Sequence, residues 1–293
     1  MQQEDVFQVY KPLLFSIAYN MLGSVMDAED CVQEAFLRWY QASDNGETEA
    51  VRSPKSYLST IVTRLSIDHL RSARVRREQY VGVWLPEPLI TTDETSVTGM
   101  AELSEALSVA FLHLLEQLSP LERAVFLLRQ VFDYDYGEIA TMVQKSEDNC
   151  RQIVRRARQH LGAPHSLYHA SKEQQDAILH QFLRACMDGD MDGLLSLLAN
   201  DIVIYADSGG KAPAARNPIS GADRVARYLL GLVRKAPEDF RFRAALINGQ
   251  PGIILYRNGV PSAILTLDML DGQIWEIDLI ANPDKLQGVP ALN

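Results

Sequence analysis

Residues 118–161 read "LSPLERAVFLLRQVFDYDYGEIATMVQKSEDNCRQIVRRARQHL". Ser119-Pro120 is a cap followed by proline, which opens a helix over "LERAVFLLRQVF". A tight turn with Gly137 leads into a short helix through Ile139, Ala140 and Val143. A polar break at Lys145-Ser146 follows, and Ser146 caps a basic helix. This order is helix-turn-helix spacing, in which the start of the last helix enters the major groove and basic neighbours hold phosphates. Amides pair with adenine and guanidinium groups with guanine, so Asn149, Arg151 and Gln152 are candidate base readers. Arg155 is a candidate phosphate contact, with Arg156 and Arg158 extending the charge, while Ile153, Val154, Ala157 and Leu161 are free to pack inward. A terminal helix with a merely solvated basic face would have the same composition.

A second basic stretch lies on the helix expected from Pro54 to Arg77. Arg64, Asp68 and Arg71 fall at i, i+4 and i+7, so one face carries all three and Asp68 can bridge both arginines. Arg74, Arg76 and Arg77 extend the positive charge, enough to hold a phosphate backbone. A surface salt-bridge ladder is the competing explanation.

The rest of the first half is also helical by period. Val6, Tyr10, Leu13, Leu14, Ile17, Ala18 and Met21 mark one helix, stopped by Gly23. Asp27 is expected to cap the next, with Glu29 and Asp30 in its first turn. Residues 43–53, "SDNGETEAVRS", read as a loop. Residues 84–89, "WLPEPL", cannot be helix interior, because each proline removes a donor and pushes its predecessor toward extended backbone. Helical pattern resumes at "AELSEALSVAFLHLLEQL", residues 101–118.

The character changes over residues 162–171. An amphipathic helix, "KEQQDAILHQFLRACMDGD", precedes the strand-like "IVIYAD" and a helix "ADRVARYLLGLV". Strand-sized pieces then alternate with turns, among them Asn258-Gly259 and Asp271-Gly272, whose chemistry suits hairpins. The second half is therefore expected to be α+β with an antiparallel sheet, its helices first.

A chain of 293 residues favours two or three domains. The acidic start "MQQEDVFQVY" lacks the pattern of a secretory signal, and no apolar run approaches the roughly 20 residues needed to span a bilayer. Cys31, Cys150 and Cys186 are far apart and read as buried thiols of a reducing cytoplasm. A net charge of −10 argues against a protein that binds nucleic acid unaided.

"DAEDCVQEAFLRWY" (27–40) followed by "SPKSYLSTIVTRLSIDHLRS" (53–72) resembles region 2 of the extracytoplasmic-function sigma factors of bacterial RNA polymerase, and residues 118–161 resemble region 4. The second half looks like a SnoaL-like domain, of the nuclear-transport-factor-2-like cone fold. "WLPEP", "ADSGGK" and "NPDKL" together match the sigma subgroup that carries such an extension. That subgroup's middle motif usually reads Asp-Gly-Gly-Gly-Lys, with Ser208 standing here for the first glycine. The expected architecture is multidomain: all-α regions 2 (1–80) and 4 (101–165) joined by a linker (81–100), then an α+β domain at 171–293. The resemblance implies that Asp30, Glu34, Phe36, Arg38 and Trp39 dock on core RNA polymerase. It implies that the loop 41–53 with Arg64, Asp68, Arg71 and Arg74 captures the −10 element, a base being read whole only when extruded. The helix begun by Ser146 would read the −35 element of promoter DNA. The charge is then no obstacle, since the polymerase supplies most of the affinity.

For the second domain, His180, Tyr205, Asp207, Lys211 and Asp278 are the candidates for acid–base work, but no His–Asp spacing or metal-ligand spacing supports catalysis. The expectation is a cytoplasmic sigma factor that is not an enzyme, with no cofactor, no metal, no membrane association and a small-ligand pocket left open. Its rivals are a SnoaL-type enzyme or ligand sensor fused to a DNA-binding module, and a regulator that binds duplex DNA without polymerase. Residues 207–221 read as a contact loop: Gly209 and Gly210 permit close approach, and Lys211 offers a charge. Trp84, Leu85, Pro86, Glu87 and Pro88 are expected to dock there, with Asp207 and the Asn282, Pro283, Asp284, Lys285 motif, and Glu87 is the expected partner of Lys211.

Overall fold

In the computed structural model residues 3–45, 51, 53–77, 79–91, 107–162 and 171–292 are described, those of 3–6, 74–77 and 91 by their backbone alone. Much of the 43–53 loop, the linker residues 92–100, residues 101–106 and 163–165, and the side chain of Arg74 thus lie outside the described residues. The chain divides into two units, one from residues 3–77 and 114–162, the other from 79–91, 107–113 and 171–292.

The first unit is helical. α1 (Gln3–Leu22), α2 (Val25–Asp44) and α3 (Pro54–Arg77) pack on one another. The cap of α2 is Ser24 and not Asp27: its Oγ accepts the amide of Asp27 at 3.3 Å, which leaves Asp27 in the first turn, where the helix dipole still favours it. Of the apolar stripe expected on α3 (Tyr57, Leu58, Ile61, Val62, Leu65 and Leu70), Leu58, Val62 and Leu70 are buried and Tyr57, Ile61 and Leu65 half-buried, while Ser59, Thr63, Ser66 and Ile67 are buried outside that stripe. The inward face is rotated toward small side chains, which let neighbouring helices approach closely.

After α4 (Val109–Leu114) and a 3-10 turn (Leu115–Gln117) come α5 (Pro120–Gln130), α6 (Tyr136–Val143) and α7 (Glu147–Leu161). Capping boxes start α5 (Ser119 with Glu122) and α6 (Asp135 with Glu138), and Ser146 caps α7. Arg123 is 3% exposed and donates to the carbonyls of Met21 (2.7 Å) and Leu115 (3.1 Å), joining the end of α1 to α5. Ser59 and Tyr134 share a buried hydroxyl bond of 2.8 Å.

The second unit is a seven-stranded sheet with strand order β1-β4-β5-β6-β7-β2-β3. Its strands are β1 (Ile90–Thr91), β2 (Leu198–Asp207), β3 (Ile219–Ser220), β4 (Arg241–Ile247), β5 (Gln250–Arg257), β6 (Val260–Leu270) and β7 (Gln273–Ile280). All pairs are antiparallel except β2 with β7. Asn258-Gly259 and Asp271-Gly272 turn their hairpins with both residues at positive φ, as does Asn248-Gly249. Strand residues alternate between two cores. Ile253, Leu265, Ile277 and Ile204 pack with α8 (Lys172–Asp188), α9 (Met191–Leu197) and α10 (Ala222–Arg234). Ile254, Tyr256, Ile264 and Ile280 of the other face pack with Leu85, Val109, Leu286 and Val289. Residue 90, in the expected linker, is thus an edge strand of the second unit, Ile90 opposite Ile247.

The three cysteines are buried and unpaired. Burial pushes the thiol of Cys31 up to about 11 and that of Cys186 up to about 12, so neither is a reactive thiolate.

Candidate nucleic-acid interface and the grip on the connector

On α7, Cys150, Ile153, Val154, Ala157 and Leu161 are buried, and Gln152, Arg155, Arg156 and Arg158 point to solvent, with Asn149 half-buried in the first turn. The 3.6-residue period leaves a polar face that begins at the cap, where Ser146 Oγ accepts the Asn149 amide at 3.2 Å. Between α6 and α7, Gln144 adopts a left-handed conformation (φ 53°), which redirects the chain within a residue. Arg151 is occupied: it bonds Glu147 and Asp148 at 2.9 Å each and lies 5.0 Å from the Tyr136 ring. Base contact by Arg151 requires release of these exposed pairs. Arg158 donates to Gln130, tying α7 to α5.

Arg64 corrects the sequence expectation. Its guanidinium donates to the carbonyls of Met142 (2.8 Å) and Thr141 (3.1 Å), so it closes the C-terminal end of α6 and does not meet Asp68. Those carbonyls lack intrahelical donors and carry the negative end of the helix dipole, which explains the arginine. Asp68 and Arg71 pair with each other at 2.9 Å, both well exposed.

On α2, Asp30 is exposed and Glu34 pairs with Arg38 at 2.8 Å. Phe36 is half-buried against Phe7 and Tyr40. Trp39, expected to dock on the polymerase, is 5% exposed and packs edge-on against Tyr57 in the helical core. Met26 (69% exposed) and Leu37 (55%) also stand on this helix, beside Asp30 and Arg38. They are single apolar residues in a polar context, and only exposure distinguishes them from core.

In the second unit, Asp207 is fully buried and each carboxylate oxygen accepts two bonds. Oδ1 takes the Tyr80 hydroxyl (2.6 Å) and the Gly209 amide (3.0 Å); Oδ2 takes the Leu85 amide (2.9 Å) and Lys285 Nζ (2.6 Å). Lys285 also donates to the Leu85 carbonyl and lies 4.2 Å from the centre of the Trp84 ring. Asn282 donates to Tyr80 Oη at 2.7 Å. Burial, then the bond to Asp207, raises the Tyr80 phenol well above its ordinary range, so it stays a donor. Gly209 (φ 56°) is required here: a Cβ would lie 2.6 Å from Asn282 Nδ2 and 3.0 Å from Tyr80 Oη. Pro86 and Pro88 are buried and Glu87 half-buried. Lys211 pairs with Asp284, beside Pro283, and not with Glu87 as expected.

Asn248 anchors two connector pieces. Its amide donates to Leu89 O (2.8 Å), its Oδ1 accepts the Leu89 amide (2.9 Å), and its Nδ2 donates to Leu107 O (3.0 Å). Tyr80, His113 and Asn248 went unread in the sequence, because each meets partners more than a hundred residues away.

The same sheet face carries Tyr205, Glu276 and Asp278. His113 stacks edge-on against Tyr205 at 4.6 Å, and its Nδ1 lies 3.6 Å from Glu276 Oε1. Burial, reinforced by Asp268, pushes the Glu276 carboxyl up to about 8. Asp278 is pushed well above the carboxylate range by burial and by Glu276. His180, on α8, is exposed and far along the chain from this group. Among the described residues no helix is long and apolar enough to cross a membrane.

Residues 6–76 match the family model for sigma-70 region 2 and residues 108–161 that for sigma-70 region 4. The chain is 37% identical to the ECF RNA polymerase sigma factor SigJ of Mycobacterium tuberculosis, over 97% of this chain and 93% of the relative. It is 28% identical to the probable ECF sigma factor SigI of the same organism, over 99% and 98%. The crystal structure of SigJ superposes with a TM-score of 0.80, covering 97% of this chain and 98% of that one. With helical regions 2 and 4 ahead of an α+β sheet domain, the chain belongs to the extracytoplasmic-function sigma factors of bacterial RNA polymerase, in the group with a SnoaL-like C-terminal extension.

Proposed function

We propose that the second unit is a built-in, non-catalytic controller of a cytoplasmic sigma factor, acting through the connector between regions 2 and 4. The observation that carries this reading is the seating of Asp207 on Tyr80, the Leu85 amide and Lys285, with Asn248 holding Leu89 and Leu107. A sheet that takes Ile90–Thr91 from the linker as an edge strand and holds Leu107, at the start of region 4, through Asn248 sets how far the two promoter-reading regions can separate. Promoter elements have a fixed spacing, so control of that span is control of initiation.

In this reading α7 reads the −35 element through Asn149, Gln152, Arg155, Arg156 and Arg158 once Arg151 is released, and Ser146 sets the helix entry. Asp68, Arg71 and Arg74 serve the −10 element. Core RNA polymerase docks on α2 through Asp30, Glu34, Phe36 and Arg38, joined by the exposed Met26 and Leu37.

The test is in vitro transcription with core polymerase on a genomic promoter library, comparing the full chain with Asp207→Asn. The variant keeps the shape and removes the charge that Lys285 neutralises. A changed output from the same promoters is expected. Unchanged output, with residues 79–91 demonstrably released, overturns the controller; no specific initiation by either protein overturns the sigma-factor assignment of these residues.

A further inference from the structure

His113, Glu276 and Asp278 come from distant parts of the chain, yet one imidazole nitrogen and one oxygen of each carboxylate all lie within 4.8 Å of one another. The separation of His113 Nδ1 from Glu276 Oε1 is 3.6 Å. Donors around a tetrahedral zinc ion, with bonds of about 2.0–2.2 Å, stand roughly 3.4 Å apart, so this pair already has ligand spacing. The third donor needs only a small side-chain adjustment.

An independent observation points into the same space. Asp278 is 1% exposed, and its Oδ1 has no hydrogen-bond partner among the described residues; Glu276 Oε1 has none either. Buried carboxylate oxygens are ordinarily satisfied, and an unpaired one costs more than almost any other polar group. Asp268, opposite Glu276 on β6, adds a third acid to the same face. His113 stands against Glu276 on this face, and its one ring nitrogen there leaves Asp278 Oδ1 unmet. The cluster is open to entry on one side, since the side chains of His113 and Glu276 are 20% and 26% exposed.

We propose that His113, Glu276 and Asp278 form a binding site for a divalent transition-metal ion, of the zinc type, with a fourth position open to water. One nitrogen and two hard oxygens suit zinc or manganese and exclude the thiolate-seeking cuprous ion. The ion would take the place of the carboxyl protons, which leave to solvent, and would fix the imidazole. His113 lies in the first residues of region 4, and it is the last of them that the second unit takes before the chain passes to the first unit at Leu114. Metal binding therefore fastens the connector where region 4 begins, which gives the controller a chemical input.

The metal-stripped full-length protein is titrated with Zn²⁺ against a chromophoric chelator, and with Co²⁺ followed by its visible absorption. One ion per chain is expected, with affinity reduced roughly tenfold or more by Glu276→Gln and by Asp278→Asn, since losing even outer-shell partners costs about 10–100-fold. The Co²⁺ spectrum should lack a thiolate charge-transfer band, and His113→Ala should abolish the visible bands. Absence of stoichiometric binding, affinity unchanged in Glu276→Gln, or a thiolate band assigning the ion to cysteine would each overturn the site. The two isosteric variants remove buried charge without removing volume, so they test the ligand set even if His113→Ala folds poorly.

Discussion

One face of the second unit's sheet is closed by α8, α9 and α10, which lie in the same stretch of chain as the sheet and meet it through Ile178, Phe182, Leu194 and Leu229. The other face is closed by Leu85 from the linker, by Val109 from the start of region 4, and by Leu286 and Val289 from the C-terminal tail. The helix-covered face is lined mainly by apolar side chains, with Gln175 of α8 also buried, whereas the other face carries Asp207, Asp268, Glu276 and Asp278 among its hydrophobic residues. Apolar burial is non-directional and strong, and suits a permanent closure. Buried carboxylates are held by particular partners, so a cover built on them is specific and can be altered by changing one partner. The difference separates a face that makes the domain fold from a face that lets it be regulated.

Three substitutions probe that contrast. Phe182→Ala on the helix-covered face should be the most damaging, costing about 3–5 kcal/mol by lost burial and a residual cavity. Chemical denaturation should show loss of the second unit as a whole; a small effect, or release of residues 79–91 alone, would break the distinction between the faces. Lys285→Ala leaves the fully buried Asp207 without its cation and should cost roughly 3 kcal/mol. Here hydrogen exchange is the sharper measurement: residues 79–91 should lose protection while the α8–α10 face keeps it. Uniform loss over both faces would show that the connector is no separate layer. Lys211→Ala is the small-effect control. Its pair with Asp284 is about half exposed on both sides, so the change should cost less than about 1 kcal/mol and leave the connector protected.

Much of this molecule is legible from neighbours in the chain. The inward and outward residues of α7 follow from its period, and the caps Ser119 and Ser146 from their chemistry. The Asn258-Gly259 and Asp271-Gly272 hairpins follow from two residues that tolerate positive φ. Even at this range competition arises: Ser24 and Asp27 both can cap a helix, and Ser24 takes the place because Val25 and Met26 already continue α2. The partners of Arg64, Trp39 and Lys211 are not legible in the sequence, for a common reason. A guanidinium on a basic helix face, an indole on an amphipathic helix and a lysine in a glycine loop each have several chemically adequate partners, and choosing among them requires knowing which distant carbonyls or carboxylates come near.

The sequence by itself determined the helix-turn-helix, the α+β character of the second half and the special nature of "WLPEPL", because periodicity, capping and proline sterics act over a few residues. Tertiary contacts alone settle that this segment packs on a face of the second unit's sheet just before the edge strand at Ile90, that Asp207 and Lys285 grip it, and that His113 meets Glu276 and Asp278. Those pairings join residues separated by tens to hundreds of positions. Their partners are selected by burial and by the need to satisfy buried polar groups, conditions that exist only once the sheet has formed.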